Sequence, residues 1–278
     1  MIPSFRSCKN FVYINGILLS IGFLEYYICF YLQTVQRIIY FLGLFSIFSI
    51  RNYSLIQIID YGISDKKAIQ NNNYITEEYP YELYVIMLRS NLIETITHLY
   101  ILSFMTFYQD LSQRWLYDLT LFIPISFLFE ILFDFFHYSG HRFLHHPLVY
   151  RYFHKIHHRF LHPTSITTYY QDPVDLLITN SLPTILALSM IPRISYLMFH
   201  WILIYKNFIE ISGHCGKISF PASSFPQFVW FPRLLGIELY TEDHDNHHSL
   251  NNCNYAKRFS LWDKVFGTYK SFYREKEE

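Results

Sequence analysis

The chain has 278 residues, with 22 lysines and arginines balanced by 22 aspartates and glutamates. The chain therefore has no global charge asymmetry, which argues against nucleic acid as a partner. The four cysteines are scattered without a Cys-x-x-Cys pair, so neither a disulfide framework nor a thiolate metal site is indicated. The length suits one domain, and a composition of 51% hydrophobic and 20% aromatic residues favours a membrane protein.

Several apolar stretches are long enough to cross a bilayer as helices, which takes about 20 residues. The clearest are Phe11–Leu32 and Leu116–Phe136. Further candidates are short or carry internal polar residues, and they are Arg37–Ile59, Leu83–Phe107, Val174–Ile191 and Ile194–Ile209. The sequence therefore predicts an all-α, multi-pass membrane protein whose segments pair into three hairpins.

The positive charges predict how the three hairpins are oriented. Arg37, Arg114 and Arg193 fall in the turns at one end, whereas most of the remaining lysines and arginines fall beyond the other end. By the positive-inside rule, the richer side faces the cytosol. The dense histidine groups lie on that side, so we expect a cytosolic, helical, histidine-rich cap on the membrane helices.

Histidine is concentrated in three short motifs. In HYSGHRFLHH, His137 and His141 are four residues apart and His145 follows four residues later. The motifs HKIHH and HDNHH both place histidines at positions i, i+3 and i+4. On an α-helix these spacings put the side chains on one face. The two triads are His154, His157 and His158, and His244, His247 and His248.

The pair, the two triads and the isolated His214 supply nine imidazoles, more than one metal ion needs. A single zinc site is satisfied by about four ligands, so the set predicts two ions. Imidazole suits iron, zinc, copper and nickel and does not name the metal. We predict that the ligands are His137, His141, His154, His157, His158, His214, His244, His247 and His248.

Other histidines receive different interpretations. His145 shares the helical face of the first motif and is a possible extra ligand. His98 and His200 lie in apolar segments and are interpreted as hydrogen-bonded structural residues or residues of a substrate channel. His146 and His162 each precede a proline, which favours loops outside the site.

Carboxylates near the motifs are candidates to orient the ligands. A metal-bound histidine usually passes its second N–H to a carboxylate or carbonyl. Glu210 precedes His214 by four residues, and we expect it to pair with a cation, to hydrogen-bond a ligand or to bind the metal. The remaining candidates are Asp134, Asp175, Glu242, Asp243 and Asp245.

From about Leu128 to Phe272 the chain resembles the fatty acid hydroxylase and sterol desaturase superfamily. The resemblance rests on FHYSGHRFLHHPLVYRYFHKIHH, on SGHCGKISFP, and on HDNHH followed by Asn-Tyr, Trp-Asp and Phe-Gly-Thr. It implies that residues 1–110 are a membrane anchor and 111–278 a catalytic region. It also implies that the nine histidines bind metal. One departure is Asp172, because sterol branches often have His-Pro and an acidic residue where this chain has Asp172-Pro173-Val174-Asp175; Asp172 is therefore a possible extra ligand.

The resemblance implies an oxidoreductase that uses two iron ions and dioxygen to hydroxylate or desaturate a lipid, with no catalytic residue beyond the metal ligands. Zinc is expected to replace iron on purification. A sterol-like substrate is favoured, and a fatty acyl, alkane or sphingoid substrate is the alternative. Electrons would come from an external donor, a cytochrome b5-type protein or a reductase, because the chain has no haem or nucleotide motif. The expected location is an endoplasmic-reticulum-like membrane.

Two alternatives without catalysis are a metal transporter and a degenerate relative. A transporter requires ligands inside the membrane spans, whereas most histidines of the motifs lie in polar stretches beyond the apolar segments. This position favours an enzyme.

Overall fold

The computed structural model describes residues 5–70, 80–108, 114–220 and 224–272. Within these ranges the chain forms helices and turns and no β-strand. The α-helices are α1 (Phe5–Leu32), α2 (Arg37–Gly62), α3 (Pro80–Phe104), α4 (Trp115–Leu144), α5 (Pro147–Phe153), α6 (Pro173–Leu176), α7 (Leu182–Met190), α8 (Tyr196–Ser212), α9 (Phe231–Leu234), α10 (Thr241–Leu250) and α11 (Leu261–Val265). A π-helical turn, Leu177–Ser181, joins α6 to α7. The domain boundary predicted after residue 110 lies outside the described residues.

Among the described residues, four helical stretches are long and apolar enough to cross a membrane, judged by length and composition. They are Cys8–Leu32, Arg37–Gly62, Trp115–Leu144 and Pro173–Met190. The other two predicted segments form α3, which carries several charged residues, and α8, which has 17 residues. The predicted all-α, multi-pass fold is confirmed.

Helix α8 lies inside the bundle, which explains how so short a helix belongs among the apolar segments. Nearly all of its residues are buried. It packs closely on α1, where a Cβ atom added to Gly22 would lie 2.7 Å from Cδ1 of Trp201. The hydroxyl of Tyr205 donates to Oδ1 of Asn15 at 2.6 Å, and the ring of Phe122 from α4 contacts the Tyr205 ring at a centroid distance of 5.0 Å.

A buried ion network explains one charged residue in each of α2 and α3. The guanidinium of Arg51 pairs with Glu25 of α1 at 3.0 Å and with Glu94 of α3 at 2.5 Å. Glu25 also accepts from Nδ1 of His200 at 2.8 Å, and Glu94 accepts from Asn207 at 2.7 Å. Polar residues in membrane segments normally face such partners. The network therefore links α1, α2, α3 and α8.

The α3–α4 and α7–α8 connections meet at one end of the bundle. The guanidinium carbons of Arg114 and Arg193 lie 4.1 and 4.2 Å from the ring centroid of Tyr108. The backbone of Tyr108 also bonds to Ile194 and Tyr196, at 3.1 and 3.0 Å. The first histidine motif lies at the opposite end of α4, so these two arginines and the motif occupy opposite ends of the bundle.

The π-helical turn packs against α4 at a point where only glycine fits. A Cβ atom on Gly140 would lie 2.9 Å from the carbonyl oxygen of Ile178. One helical turn earlier, Nδ1 of His137 donates to the carbonyl of Thr179 at 2.7 Å. The close approach at Gly140 therefore sets the distance between the π-helical turn and the histidines of α4.

We predict that Gly140→Ala lowers the melting temperature of the detergent-purified protein, because the new methyl group meets a backbone oxygen. Overpacking of this kind costs about 1–3 kcal/mol. The matched control is Gly16→Ala, because nothing lies within 4 Å of a Cβ atom at Gly16. That variant should melt at the wild-type temperature or slightly above. Equal melting of the two variants would contradict the proposed close approach.

Candidate metal centre

The three histidine motifs lie on different local structures. The first occupies the end of α4, where His145 is the C-cap. The second begins at His154, the C-cap of α5, and continues into a 3-10 turn at His157–Arg159. The third lies on α10. The expectation that each motif presents one α-helical face therefore fits the first and third motifs, whereas the second follows a tighter turn.

The histidines gather into two groups whose ring nitrogens lie within 4.8 Å of one another. We name them the first cluster and the second cluster. The first cluster consists of His141, His145, His154, His158 and His247. The second cluster consists of His157, His214, His244 and His248. His137 belongs to neither.

Each triad is divided between the two clusters. The second motif sends its first and last histidines to the first cluster and its middle one, His157, to the second cluster. The third motif does the reverse, because only its middle histidine, His247, joins the first cluster. The two clusters are therefore adjacent and share both motifs. Ring centroids from opposite clusters approach to 4.8 Å at His158 and His248.

Hydrogen bonds hold the outer nitrogen of many of these rings. The Nδ1 atoms of His141 and His247 donate to the carbonyls of Tyr255 and Cys253 at 2.8 and 2.7 Å. The Nδ1 atom of His154 bonds to Oδ2 of Asp175 at 2.7 Å. A ring that donates through Nδ1 keeps a lone pair on Nε2. This lone pair is what a metal ion would bind.

The inward nitrogens approach one another closely. Nε2 of His154 lies 3.0 Å from Nε2 of His141 and 3.1 Å from that of His158. In the second cluster the Nε2 atoms of His214 and His244 are 3.0 Å apart. Lone pairs at this distance repel unless a cation or proton lies between them.

The donor set fits a metal ion. Among the described residues, the Nε2 atoms of His137, His145 and His248 are buried without a hydrogen-bond partner. Buried polar atoms normally have a partner, and an ion would provide one. A set made of imidazole nitrogens suits iron, zinc, copper or nickel.

Burial keeps these rings neutral, which is the form that binds metal. Burial is the largest cause of the low pKa of His158, about 4, and of His145 and His214, about 3. Neighbouring charge adds to the effect, from His158 on the pKa of His145 and from Lys257 on that of His214. The imidazoles are therefore available as ligands at neutral pH.

Residues of the Asn-Tyr, Trp-Asp and Phe-Gly-Thr stretches hold the loop whose carbonyls, at Tyr255 and Cys253, accept from His141 and His247. Asp263 accepts from the backbone N–H groups of Tyr255 and Ala256 at 2.9 and 2.8 Å, and from the hydroxyl of Thr268 at 2.7 Å. Asn254, with φ of 53°, donates to the carbonyl of Asp243 at 2.8 Å. These residues therefore orient the carbonyls of the loop toward the histidines.

Five acidic residues beside the motifs are candidates to orient the histidines. Among them, Asp175 bonds directly to a motif histidine. Asp134 instead accepts the backbone N–H groups of three consecutive residues, 257–259, at 2.7, 2.9 and 3.0 Å. Glu242 accepts from the backbone of residues 219 and 220, Asp243 completes the capping box of α10, and Asp245 accepts from Gln70. Most of these carboxylates thus fix the backbone around the site.

The three possible additional site residues have different surroundings. His145 lies in the first cluster. Asp172 caps α6 by accepting from the backbone N–H of Val174 at 2.8 Å. The carboxylate of Glu210 pairs with Arg258 at 3.0 Å, and its main-chain carbonyl lies 2.9 Å from Nδ1 of His214. Their roles toward a metal remain predictions, as do those of the nine histidines.

A cavity of about 10 Å³ lies against both clusters. His137 lines it together with His154 of the first cluster and His157 of the second. Three lining residues that the sequence analysis did not identify are Gln171, Thr179 and Lys257. The ammonium of Lys257 lies 3.0 Å from Nδ1 of His214. The only sequence signal for it is the Lys-Arg pair inside the block that follows the third motif.

Comparison with known proteins shows that the site lies in the part of the chain that matches a protein-family model. The model of the fatty acid hydroxylase family matches residues 126–268, slightly more than half of the chain. This region contains all three motifs and the residue at position 214. No solved structure matches the chain significantly.

Three relatives illustrate the range of similar proteins. A fatty acid hydroxylase of Lecanicillium sp. is 31% identical over 51% of this chain and 40% of its own length. Human lathosterol oxidase is 30% identical over 53% of this chain and 44% of its own. A very-long-chain aldehyde decarbonylase of Oryza sativa subsp. japonica is 31% identical over 49% and 22%. The chain thus spans about half the length of the relatives it matches, or less.

We predict that Asp175→Asn weakens metal binding, because the carboxylate orients His154 and favours its lone pair on Nε2. Loss of such a partner typically lowers metal affinity about 10- to 100-fold. The matched control is Asp118→Asn, because Asp118 is also a buried carboxylate but lies in the first turn of α4, at the end away from the first motif. Competition with a chelator on the purified protein measures both affinities. Equal losses in the two variants would contradict a specific role for Asp175.

Proposed function

Because the chain belongs to the fatty acid hydroxylase family, we propose that it is a membrane-bound oxidoreductase that binds two iron ions and uses dioxygen to oxidise a C–H bond of a lipid. The nine predicted histidines and His145 are the candidate ligands. Residues 1–110 would act mainly as a membrane anchor and residues 111–278 as the catalytic region. The family match beginning at residue 126 supports this division.

One observation carries the proposal: two adjacent imidazole clusters share both triads. A single ion would use one cluster and leave the other buried and unsatisfied. The interleaving of the motifs instead suits two ions at a fixed separation, and each cluster offers at least four ring nitrogens. Zinc would be expected to replace iron in purified protein, since the same ligands suit it.

Bound iron would supply the reduction of dioxygen and the removal of hydrogen from an unactivated carbon. The chain itself would contribute a fixed set of neutral ligands and a dry surrounding. Burial of the rings excludes water, while the carbonyls of Tyr255 and Cys253 prevent two rings from rotating. No residue beyond the ligands is needed in a catalytic role.

The substrate is proposed to be a lipid, because the site lies at the end of apolar helices. The names of the relatives refer to fatty acid hydroxylation and to oxidation of the sterol lathosterol. A sterol-like substrate is favoured over a fatty acyl, alkane or sphingoid one. Hydroxylation and desaturation both consume dioxygen, two electrons and two protons.

The two electrons require an external donor, for which we propose a cytochrome b5-type protein or a reductase. Four exposed cations lie along the segment that contains the first two motifs, and they are Arg142, Arg151, Lys155 and Arg159. They would suit an acidic protein and equally an anionic lipid surface. With the basic side in the cytosol, as the positive-inside rule favours, the histidines would face the cytosol from an endoplasmic-reticulum-like membrane.

A metal-binding membrane protein without catalysis is the alternative from another class. A transporter would need ligands along a path through the bundle. His98 and His200 lie in a buried aromatic setting, and His200 bonds to Glu25, which favours a structural role for His200. Both ring nitrogens of His98 lack a hydrogen-bond partner among the described residues.

We predict about two equivalents of iron or zinc per chain in purified protein, one for each cluster. Elemental analysis measures the content directly. A reproducible value of one or none would contradict a two-ion centre.

We also predict that His157→Ala and His247→Ala each abolish lipid oxidation while the protein still inserts in the membrane. Each removes one ring from a different cluster, and neither residue lies in a candidate span. His146→Ala and His162→Ala are the controls, because neither histidine belongs to a cluster, and they should retain most activity. Lipid profiling of cells that express each variant provides the measurement. Equal behaviour of all four variants would contradict the assignment of ligands.

A further inference from the structure

A second cavity, of about 30 Å³, adjoins the cavity of the metal centre. It lies between α3, the segment before α6, the π-helical turn and α8. Gln171 and Glu210 line both cavities. A small group in the second cavity would therefore lie beside the position where the metal centre meets its substrate.

Most residues that line this cavity have polar side chains, although the cavity lies among membrane helices. Many of its side chains are paired with neighbours. Glu94 accepts from Asn207 at 2.7 Å, Ser181 accepts from Thr97 at 2.8 Å, and Asn180 accepts from Lys206 at 2.5 Å. These bonds fix the side chains of the cavity wall and occupy most of their hydrogen-bonding groups.

The amide of Gln171 is an exception. Its side chain lies in the wall of both cavities, the residue is 7% exposed, and its Oε1 atom has no hydrogen-bond partner among the described residues. A buried acceptor without a partner is costly. A ligand group that can donate a hydrogen bond would remove that cost. A hydroxyl both donates and accepts, so it can pair with either end of the amide.

The charges of the wall select a neutral group. Two carboxylates, Glu94 and Glu210, line the cavity, and no lysine or arginine is among the described lining residues. Both carboxylates are already paired, Glu94 with Arg51 and Glu210 with Arg258, so the described residues of this wall offer no unpaired cation to the anionic end of a free fatty acid. A neutral hydroxyl needs no such cation.

The π-helical turn connects this cavity to the metal centre. Its residue Thr179 bonds to His137 through the main chain, and the next two residues, Asn180 and Ser181, line the second cavity. Single π-helical turns occur frequently at functional sites. One short segment therefore positions a histidine of the metal cavity and the wall of the neighbouring polar cavity.

We propose that the second cavity binds the hydroxyl group of the lipid substrate through Gln171, so that the oxidised carbon lies a few bonds from the hydroxyl. The proposal rests on the proposed function and narrows its substrate class to neutral, hydroxyl-bearing lipids. Gln171 is a specificity-determining residue in this account.

The test measures binding and not turnover, so its outcome is independent of whether the protein oxidises the probe. The full-length, metal-loaded protein in lipid nanodiscs is titrated with two series of radiolabelled probes. One series is cholesterol and its methyl ether, and the other is octadecan-1-ol, its methyl ether and octadecanoate. Each ether removes the hydroxyl donor with little other change.

We expect the hydroxyl form of at least one series to bind about five- to ten-fold more tightly than its ether, the scale of one hydrogen bond. Octadecanoate should bind more weakly than octadecan-1-ol. Gln171→Leu should abolish the preference for the hydroxyl while metal content stays unchanged. The matched control is Gln227→Leu, because Gln227 is also a buried glutamine with unpartnered amide atoms but lines neither cavity. This variant should keep the preference.

Three outcomes would overturn the proposal. The first is equal binding of alcohol and ether in both series, which would leave the cavity to water. The second is tighter binding of octadecanoate than of octadecan-1-ol. The third is an unchanged preference in Gln171→Leu. Each of these outcomes is possible while the protein still binds two metal ions. Conversely, a metal content that differs from two ions per chain would contradict the proposed function, and the binding data could still be interpreted.

Discussion

The structure depends on a requirement that the imidazole clusters impose: many rings must lie within a few ångströms of one another, buried and uncharged, with a nitrogen lone pair pointing inward. Several rings are held in this orientation by a hydrogen bond from their other nitrogen to a partner outside the cluster. Those partners are mostly main-chain carbonyls, such as those of Tyr255, Cys253 and Phe160. The backbone around the site must therefore be as well defined as the rings.

Buried carboxylates provide that definition at a distance from the metal cavity. Asp134 on α4 gathers three successive N–H groups of the chain after the third motif, and Asp263 holds the two residues just before them. The stretch of chain that follows the third motif is thereby fixed to α4, the helix that carries the first motif. Loss of either carboxylate would free carbonyls that orient rings, so residues that never contact a histidine still contribute to the geometry of the clusters.

Sequence patterns predicted the helices, the three motifs and the gathering of histidines, because hydropathy and i, i+4 spacing are local properties. The division of each triad between two clusters was not predictable. The second motif follows a 3-10 turn, and the assignment of His157 and His247 to opposite clusters depends on how α4, α8 and α10 pack. Main-chain partners such as the carbonyl of Thr179 could not be predicted, because every residue has a backbone carbonyl whatever its side chain. Glu210 could be expected to seek a partner, but the identity of that partner, Arg258, required the fold.

The polar residues that interrupt the apolar segments of α2, α3 and α8 have a common explanation. Arg51, Glu94 and Asn207 form one buried network, and the last two of these also line the cavity beside the candidate metal centre. Charged residues within a membrane bundle are costly unless they are paired, and a simple anchor has no need of them. Their continuity with the cavity suggests that the first three helices do more than anchor the chain. The anchor and the catalytic region would then share one site, because Glu94 of α3 and Gln171 lie in the same wall.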